Sequence, residues 1–379
     1  MPMKAASKPA RVPYSYLSRQ FAEIDPILED IRALVQSGDF TLGKPVEEFE
    51  ARFAKLIGVK HAVGVGSGTD ALFLALKAIG VGAGDEVITA ANTFVATAGA
   101  IETAGARIVF VDSDEKGVID PRLVEKAITK KTKAIMPVHW AGQPADMPAI
   151  MKIAEKRGLR VIEDACQAIG SAVDGRNTGS IGLMGGFSLH PLKNLNVWGD
   201  GGIVTTNSTE MRDKLRLLRN HGMSTRDEYA AYAYNSRLDS LQAVVGNHLI
   251  RDFEWITETR IANARRLDAA LGRLEGRVTL PPRDPRERHV YHLYQFRAER
   301  RDELLKFLVA RGIEAKVHYP IPLHLQPASR PLGYRKGDFP NAERQAAESL
   351  TLPVHQHLTE EEMEHMISSI EEFYADAGR

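Results

Sequence analysis

The chain has 379 residues, of which 44% are hydrophobic and 26% are charged, a composition that excludes a disordered chain and allows a large buried core. Lysine plus arginine and aspartate plus glutamate both number 49, so no net charge favours nucleic acid or an anionic membrane as partner. We therefore expect a small-molecule site in a protein of one large and one smaller domain.

The sequence also predicts the compartment. The single cysteine, Cys166, excludes an intramolecular disulfide framework. The first residues lack the apolar core of a signal peptide, and no window approaches the roughly 18 apolar residues that a membrane helix needs. We expect a cytoplasmic protein.

From about residue 60, short β-branched runs alternate with helical patterns, which is typical of a parallel sheet covered by helices. The predicted strands are 62–66, 86–90, 107–112, 134–138, 159–163, 186–189 and 201–206. Predicted helices cover 70–79, the region around 95–101, a segment opened by Asp120 and Pro121, and a segment from Asp146 to Gly158.

The pattern changes beyond about residue 250. Strands are predicted at 291–296 and 313–319, on either side of a helix over 302–310. A capping box from Thr359 to Glu362 opens an amphipathic C-terminal helix that should pack on the same unit. We predict a large domain over residues 1–250, including an N-terminal arm or helix, and a small α+β domain over 251–379.

One lysine stands between a predicted strand and a glycine turn. Lys193 lies in the stretch 187–202, where the surrounding protein can shelter it from water. Burial favours the neutral amine, and only the neutral amine attacks a carbonyl to form an imine. Taken alone, a lysine is more often a solvated surface residue.

Three other features change that reading. Asp164 follows a predicted central strand, at the sheet edge where open parallel sheets bind ligands, and could pair with a protonated pyridine nitrogen. The turn 66–69 feeds a helix N-terminus, which suits a phosphate. Phe94 could stack on an aromatic ring. Each has a plainer alternative as a helix cap, an ordinary turn or a core residue.

Together these segments resemble the DegT/DnrJ/EryC1/StrS family of sugar aminotransferases, over nearly the whole chain. The motifs that carry the resemblance, in chain order, are 38–43, 67–72, 93–97, 163–168, the lysine segment, 235–239 and 317–322. The resemblance implies the aspartate aminotransferase fold (pyridoxal-phosphate fold type I), with a mostly parallel mixed sheet in the large domain.

The resemblance also implies roles for single residues. Lys193 would be the Schiff-base lysine and proton carrier, and Asp164 the partner of the pyridine nitrogen of pyridoxal 5'-phosphate. The other implied cofactor contacts are Gln167 on the ring hydroxyl, Phe94 on the ring face, and Gly68, Thr69 and Ser188 on the phosphate.

In this family Asn235 reaches the phosphate of the neighbouring subunit, so the resemblance implies a homodimer with shared active sites. Arg237, His318 and Tyr319 become candidates for the substrate pocket. Many relatives have phenylalanine and glycine where this chain has Leu189 and Asn196, and the bulky Trp198 lies beside the lysine loop. These differences flank the implied cofactor contacts without replacing them. They therefore leave the substrate less defined than the reaction.

The implied reaction moves an amino group from L-glutamate to a nucleotide-linked keto-sugar, with pyridoxamine 5'-phosphate between the two halves. The segment 317–322 resembles that of relatives acting on 3-keto sugars, so the resemblance implies a 3-keto rather than a 4-keto sugar, in amino-sugar biosynthesis for a surface polysaccharide or a glycosylated product. A cyclitol (inosose) aminotransferase stays open. Some related proteins are dehydratases, and they carry histidine at the position of Lys193. Because this chain has lysine there, the resemblance favours aminotransfer over dehydration.

The sequence gives less support to two functions from other classes. The complete set of cofactor groups argues against a pyridoxal-phosphate-binding regulatory protein without turnover. A dinucleotide fingerprint at 64–69 fails on glycine spacing. We expect no metal, because the histidines at 318, 324, 355 and 357 lack a known ligand spacing.

Overall fold

The computed structural model describes residues 11–376. Its strands are β1 (His61–Val65), β2 (Glu86–Ala90), β3 (Arg107–Val111), β4 (Thr132–Ile135), β5 (Arg160–Asp164), β6 (Ala172–Val173), β7 (Arg176–Asn177), β8 (Met184–Ser188), β9 (Gly202–Thr206), β10 (Val278–Thr279), β11 (Glu287–Arg288), β12 (Tyr294–Ala298) and β13 (Ser349–Leu352).

The helices are α1 (Leu17–Gln20), α2 (Asp25–Ser37), α3 (Lys44–Ile57), α4 (Gly68–Ala78), α5 (Val95–Thr103), α6 (Pro121–Ala127), α7 (Met147–Arg157), α8 (Thr209–Leu218), α9 (Ser240–Leu249), α10 (Phe253–Leu271), α11 (Arg301–Ala310), α12 (Pro340–Glu348) and α13 (Glu360–Asp376).

A seven-stranded sheet forms the centre of the molecule, in the order β1-β9-β8-β5-β4-β2-β3. The run from β8 to β3 is parallel, whereas β9 is antiparallel to both β8 and β1. The predicted α/β class with a mostly parallel mixed sheet is therefore confirmed. Helices α4 and α3 contribute to separate hydrophobic clusters against it, through residues such as Leu74 and Phe53.

The strand predictions agree with the structure within one to three residues, except for 313–319. That segment contains only isolated bridges, from Ile313 to Val12 and from Lys316 to Thr351. Because its two sides meet different partners at single residues, no continuous ladder forms. The predicted strand is wrong, although the segment still leads into the site.

A three-stranded antiparallel sheet, β10-β12-β13, packs with α10, α11 and α13 around its own hydrophobic cluster. Val12 from the N-terminal segment is part of that cluster. The capping box is confirmed, since the Thr359 amide donates to the Glu362 carboxylate at 2.9 Å and the Glu362 amide to the Thr359 hydroxyl at 3.2 Å. The division of the chain at residue 250 stays a prediction.

The N-terminal helices α2 and α3 were not resolved by the periodicity argument, although their end signals are clear. Each has proline in its first turn and ends on a glycine with left-handed backbone, Gly38 at φ 72° and Gly58 at φ 78°. Within residues 11–376, none of the helices combines the length and the apolar character that crossing a membrane requires.

Candidate active site

A cavity of about 340 Å³ lies at the carboxyl ends of the central strands β5 and β8. This is the edge at which open α/β sheets bind ligands. Most of the predicted site residues line it: Gly68, Thr69, Phe94, Asp164, Gln167, Ser188, Lys193, His318 and Tyr319. The structure thus brings together residues spread over 252 positions of sequence.

One end of the cavity is formed by the turn between β1 and α4. Ser67 caps α4 by accepting a hydrogen bond from the Asp70 amide at 3.1 Å, which leaves the helix N-terminus facing the cavity. A Cβ atom on Gly68 would lie 2.6 Å from Cβ of Ser188 and 3.1 Å from Sγ of Cys166. Only glycine lets the helix start come so close to β8, so the helix amides and the Ser188 hydroxyl share one concave surface.

Asp164, at the end of β5, is 4% exposed and held by two donors. The Thr97 hydroxyl lies 2.7 Å from Oδ2, and the Cys166 amide donates to Oδ1 at 3.1 Å. The Thr97 hydroxyl also lies 2.8 Å from that of Thr93. An ionised carboxylate only accepts, so Thr97 donates to Asp164 and accepts from Thr93. The carboxylate is fixed in a dry position that suits a protonated ring nitrogen.

Gln167 lies beside Asp164 and is also anchored. Its Oε1 accepts a hydrogen bond of 2.7 Å from the backbone amide of Ala141. Ala141 has φ 58°, a left-handed conformation that costs a non-glycine residue energy. Because the carbonyl end of Gln167 is occupied, its NH₂ group is the end available to an acceptor in the cavity.

Lys193 is half-buried and lies on the loop between β8 and β9. The loop is held by hydrogen bonds from the Val197 amide to the Leu189 carbonyl and from the Lys193 amide to the His190 carbonyl. Burial lowers the pKa of the Lys193 amine, against the opposing effects of Cys166 and Asp164. The structure therefore favours the neutral, nucleophilic form that the sequence argument required.

Aromatic side chains form the outer wall of the cavity. Phe94 occupies the residue position immediately before α5 and is 46% exposed. Its ring centroid lies 5.7 Å from that of Tyr319. Tyr319 also meets Trp140 edge-on at 5.6 Å. Burial, with help from Lys316 and Lys193, lowers the pKa of neighbouring His318 to about 4, so its imidazole is neutral at pH 7. This wall offers stacking surface and uncharged hydrogen-bonding groups.

Asn235 and Arg237 lie outside this cavity. Asn235 is exposed, and Arg237 donates to Oδ1 of Asn220 at 3.0 Å. Between them, the Ser236 hydroxyl donates to Asp70 at 2.9 Å and accepts from the Gly66 amide at 3.1 Å. The segment is thus tied to the back of the turn between β1 and α4, whereas Asn235 is exposed.

The sequence argument missed several residues of the cavity. Tyr14 and His292 line it from the N-terminal segment and from the start of the small sheet, and Thr97 holds Asp164. Thr97 closes the motif 93–97, so a signal was present for it. Nothing in the local sequence of Tyr14 indicates that its amide donates to Glu314, 300 positions away, or that its ring stacks on His318.

The residues present fit pyridoxal 5'-phosphate. A cradle that only glycine permits would receive the phosphate, the fixed carboxylate of Asp164 would match a pyridinium nitrogen, and a lysine with a lowered pKa faces the same cavity. The fold and the site together define the class, a pyridoxal-phosphate-dependent enzyme of the aspartate aminotransferase type.

Comparison with known proteins gives the family. Residues 22–371 match the DegT/DnrJ/EryC1/StrS aminotransferase family, and the chain belongs to it. A pleiotropic regulatory protein of Geobacillus stearothermophilus is 44% identical over 96% of this chain and 98% of its own. The dTDP-3-amino-3,4,6-trideoxy-alpha-D-glucose transaminase of Streptomyces venezuelae is 40% identical over 98% of both chains.

Solved structures of related proteins have the same fold as this chain. S. venezuelae DesV, in complex with a ketimine intermediate, superposes with a TM-score of 0.93 at 40% identity, covering 97% of this chain and 99% of that one. The Bacillus subtilis protein ntda, with bound cofactor PMP, has a TM-score of 0.88 at 30% identity, covering 97% and 86%. The protein is an aminotransferase, and its cofactor is pyridoxal 5'-phosphate, with the pyridoxamine form in the half-reaction.

Proposed function

We propose that this aminotransferase transfers the amino group of L-glutamate to a nucleotide-linked 3-keto sugar, in the cytoplasm, as a step in amino-sugar biosynthesis. One observation carries the proposal: the amine of Lys193 and the carboxylate of Asp164 face the same cavity, with burial lowering the pKa of the amine. That pair serves amino-group transfer, and the named dTDP-sugar transaminase that is 40% identical supplies the acceptor class.

When bound, pyridoxal phosphate supplies the electron sink that stabilises negative charge at the carbon losing its proton. The chain's residues do the rest. Asp164, oriented by Thr97 and the Cys166 amide, would hold the proton on the ring nitrogen. Gln167 would present its NH₂ group to the ring hydroxyl, and the α4 N-terminus with Thr69 and Ser188 would bind the phosphate.

Lys193 is the proton carrier in this scheme. Its amine lies in the cavity with a lowered pKa, so the free amine would be able to accept a proton at one carbon and return it at another. In the second half the same amine acts in the reverse order, so one residue serves both halves.

The acceptor pocket is proposed on the wall formed by Phe94, His318 and Tyr319. His318 is neutral at pH 7 and its Nδ1 lies 3.0 Å from the Thr351 hydroxyl, so the ring is oriented by that contact. Neutral donors and aromatic surface match the hydroxyls and apolar faces of a sugar ring. A 3-keto sugar is favoured because the named dTDP-sugar transaminase forms a 3-amino product.

We further propose a homodimer in which each subunit contributes residues to the active site of its partner. Asn235 is exposed on the face behind the phosphate turn, and Tyr229 and Tyr232 nearby are 61% and 105% exposed. Large aromatic side chains are enriched in protein interfaces. A partner covering this segment would receive Asn235 at its phosphate and Arg237 near the carboxylate of its amino donor.

The direct test is to load the purified protein with pyridoxal phosphate and record its absorbance before and after adding L-glutamate. We expect a visible band that is lost with glutamate, and borohydride reduction should fix the cofactor on Lys193, as read by peptide mass spectrometry. A Lys193→Ala variant should bind cofactor without covalent attachment. Labelling of another lysine would sink the assignment.

The second step offers dTDP- and UDP-linked 3-keto and 4-keto sugars, and an inosose, to the pyridoxamine-loaded protein. Recovery of the visible band with a 3-keto sugar is the expected result. Recovery with the inosose alone would make the protein a cyclitol aminotransferase, and loss of a sugar hydroxyl would make it a dehydratase. A glutamate response with no acceptor at all would support the regulatory reading that the 44% identical relative's name suggests.

A further inference from the structure

Arg260 on α10 is a buried charge without a counter-charge. It is 2% exposed, and within the part of the chain that the structure describes no carboxylate forms an ion pair with it. Its Nη1 donates to the Tyr291 carbonyl at 3.0 Å and its Nε to the side chain of Gln356 at 3.2 Å. Burying a guanidinium without a carboxylate partner costs desolvation free energy. A buried arginine of this kind therefore calls for a functional explanation.

The second of those hydrogen bonds opens a chain of side-chain amides. Nε2 of Gln356 donates to Oε1 of Gln20 at 3.0 Å, and Nε2 of Gln20 donates to Oδ1 of Asn196 at 2.9 Å. Nδ2 of Asn196 then donates to the backbone carbonyl of Lys193 at 3.0 Å. The chain therefore runs from Arg260 to the main chain of the active-site lysine.

The direction of every hydrogen bond is forced by the two ends. Arginine has donors and no acceptor, whereas a backbone carbonyl has an acceptor and no donor. Between such ends, Gln356, Gln20 and Asn196 must each turn the oxygen toward Arg260 and the NH₂ group toward Lys193. No amide can flip alone without placing two donors or two acceptors face to face.

A second route joins the same two ends. The hydroxyl of Tyr16 donates to the Lys193 carbonyl at 2.9 Å, and the guanidinium of Arg260 lies 5.2 Å from the centroid of the Tyr16 ring. Tyr16 is 3% exposed and Asn196 is fully buried. The Lys193 carbonyl thus accepts two hydrogen bonds, both supported by the N-terminal segment and by α10.

We propose that Asn196, Gln20 and Gln356 form a one-way amide relay from Arg260 that positions Lys193 for its reaction. They are positioning residues, since none of them lines the cavity, and the inference rests on Lys193 being the lysine that binds the cofactor. Hydrogen bonds in such a chain polarise one another, and the guanidinium at its head strengthens each in turn.

The position of the relay gives it a second property. Gln20 belongs to the N-terminal segment, Asn196 to the lysine loop, and Gln356 to the segment after β13. The hydrogen bonds that hold the lysine loop therefore form only when the N-terminal segment and the segment after β13 are both packed against it. An error of about 1 Å in the placement of a reacting group can slow an enzyme about a hundredfold.

The test uses Gln20→Leu in the full-length protein, which cuts the relay one residue from Asn196 and leaves Tyr16 in place. Gln242→Leu is the matched control, because Gln242 donates to the Trp198 carbonyl of the same loop at 3.2 Å but lies outside the relay. Both variants are compared in the glutamate half-reaction. We expect Gln20→Leu to slow its limiting rate about tenfold, with little change in the half-saturating glutamate concentration.

A second readout needs no turnover. In the cofactor-free protein, the rate at which an amine-acylating reagent labels Lys193 is followed against pH by mass spectrometry. Cys166, Asp164, His190, His292 and His318 face this amine and are unchanged in the variant. In Gln20→Leu the Asn196 amide stays on the Lys193 carbonyl but loses the hydrogen bond that polarises it toward Lys193, so the labelling midpoint should move to higher pH than that of the control.

An Asn196→Ala variant removes the last donor directly and should reproduce both effects at least as strongly. If Gln20→Leu matches Gln242→Leu in rate and labelling midpoint, the relay does not position Lys193 and the inference is overturned. If the wild-type protein itself forms no covalent bond between cofactor and Lys193, the proposed function fails instead, so the two failures are distinguishable.

Discussion

The hydroxyl of Thr97 lies 2.7 Å from Oδ2 of Asp164, and both side chains are buried. Thr97→Val keeps the shape of the side chain and leaves the carboxylate with one donor fewer. A hydrogen bond to a charged group contributes about 1.5–3 kcal/mol, so we expect a loss of that size in unfolding free energy and a fall in the transamination rate of about tenfold.

Thr97→Ser is the control for this prediction, because it keeps the hydroxyl and removes only a methyl group. Single-turnover rates with glutamate and urea unfolding curves measure the two effects. Equal rates in the valine and serine variants would show that the hydroxyl does not orient Asp164.

Gly68→Ala should weaken cofactor binding. The added Cβ would meet Cβ of Ser188 at 2.6 Å, so the helix start and β8 must separate at the phosphate end. Overpacking of this kind costs about 1–3 kcal/mol, equivalent to a cofactor affinity lower by about 5-fold to 150-fold. Gly99→Ala, in α5 with open space around the new Cβ, is the matched control and should bind cofactor normally. Fluorescence titration of the cofactor-free proteins measures both.

Glu163→Gln should destabilise the fold more than a surface change. Glu163 is fully buried and accepts hydrogen bonds from the amides of Gly179, Ile181 and Gly182, at 2.6–2.8 Å, and from Nε2 of His139 at 3.0 Å. The amide NH₂ group of glutamine would face these backbone amides or His139, which are donors themselves. Removing one partner of a buried pair lowers the free energy of unfolding by about 3–5 kcal/mol.

The comparison variant for that prediction is Glu125→Gln, whose carboxylate contacts the exposed Lys156 and Arg157. Exposed pairs of this kind contribute little. Urea denaturation of both variants gives the free energies of unfolding, and a similar midpoint for the two would contradict the role assigned to Glu163.

Acid should destabilise the protein through two histidines. Burial is the main cause that lowers the pKa of His318 and of His355 to about 4, from 6.5 in the unfolded chain. Between those values the unfolded state binds more protons than the folded state, so stability is lost as pH falls from about 6.5 to about 4. A His355→Gln variant lacks one of these groups and should show a shallower decline of the urea midpoint over that range than the wild-type protein.

Local sequence patterns were sufficient for the part of the site that depends on one strand and its following turn. Asp164 ends a predicted strand, Gly68 opens a predicted helix, and Lys193 lies before a glycine turn. Each is placed by hydrogen bonds to neighbours in its own supersecondary unit or by the parallel order of the sheet. That is why periodicity, caps and a family resemblance together indicated them.

The contacts that could not be predicted join distant segments. Tyr16 meets Lys193 across 177 positions, and Gln20 meets Gln356 across 336. A polar residue in a short N-terminal segment has no pattern that reveals such a partner. The wrong strand at 313–319 has the same cause, since its pairing is decided by Val12 and Thr351 and by nothing within the segment.

The meeting of the two chain ends beside Lys193 has a consequence for synthesis of the protein. The ring of Tyr16 lies 5.2 Å from that of His355, and Arg19 forms an ion pair with Glu362. A chain leaving the ribosome has made the whole seven-stranded sheet by residue 206, about 150 residues before these contacts can form. At about 5–20 residues per second, the strands of the central sheet are synthesised about 8–30 seconds before the contacts between these two segments can form. The contacts that join the N-terminal segment to the segment after β13 are thus among the last to form as the chain is made.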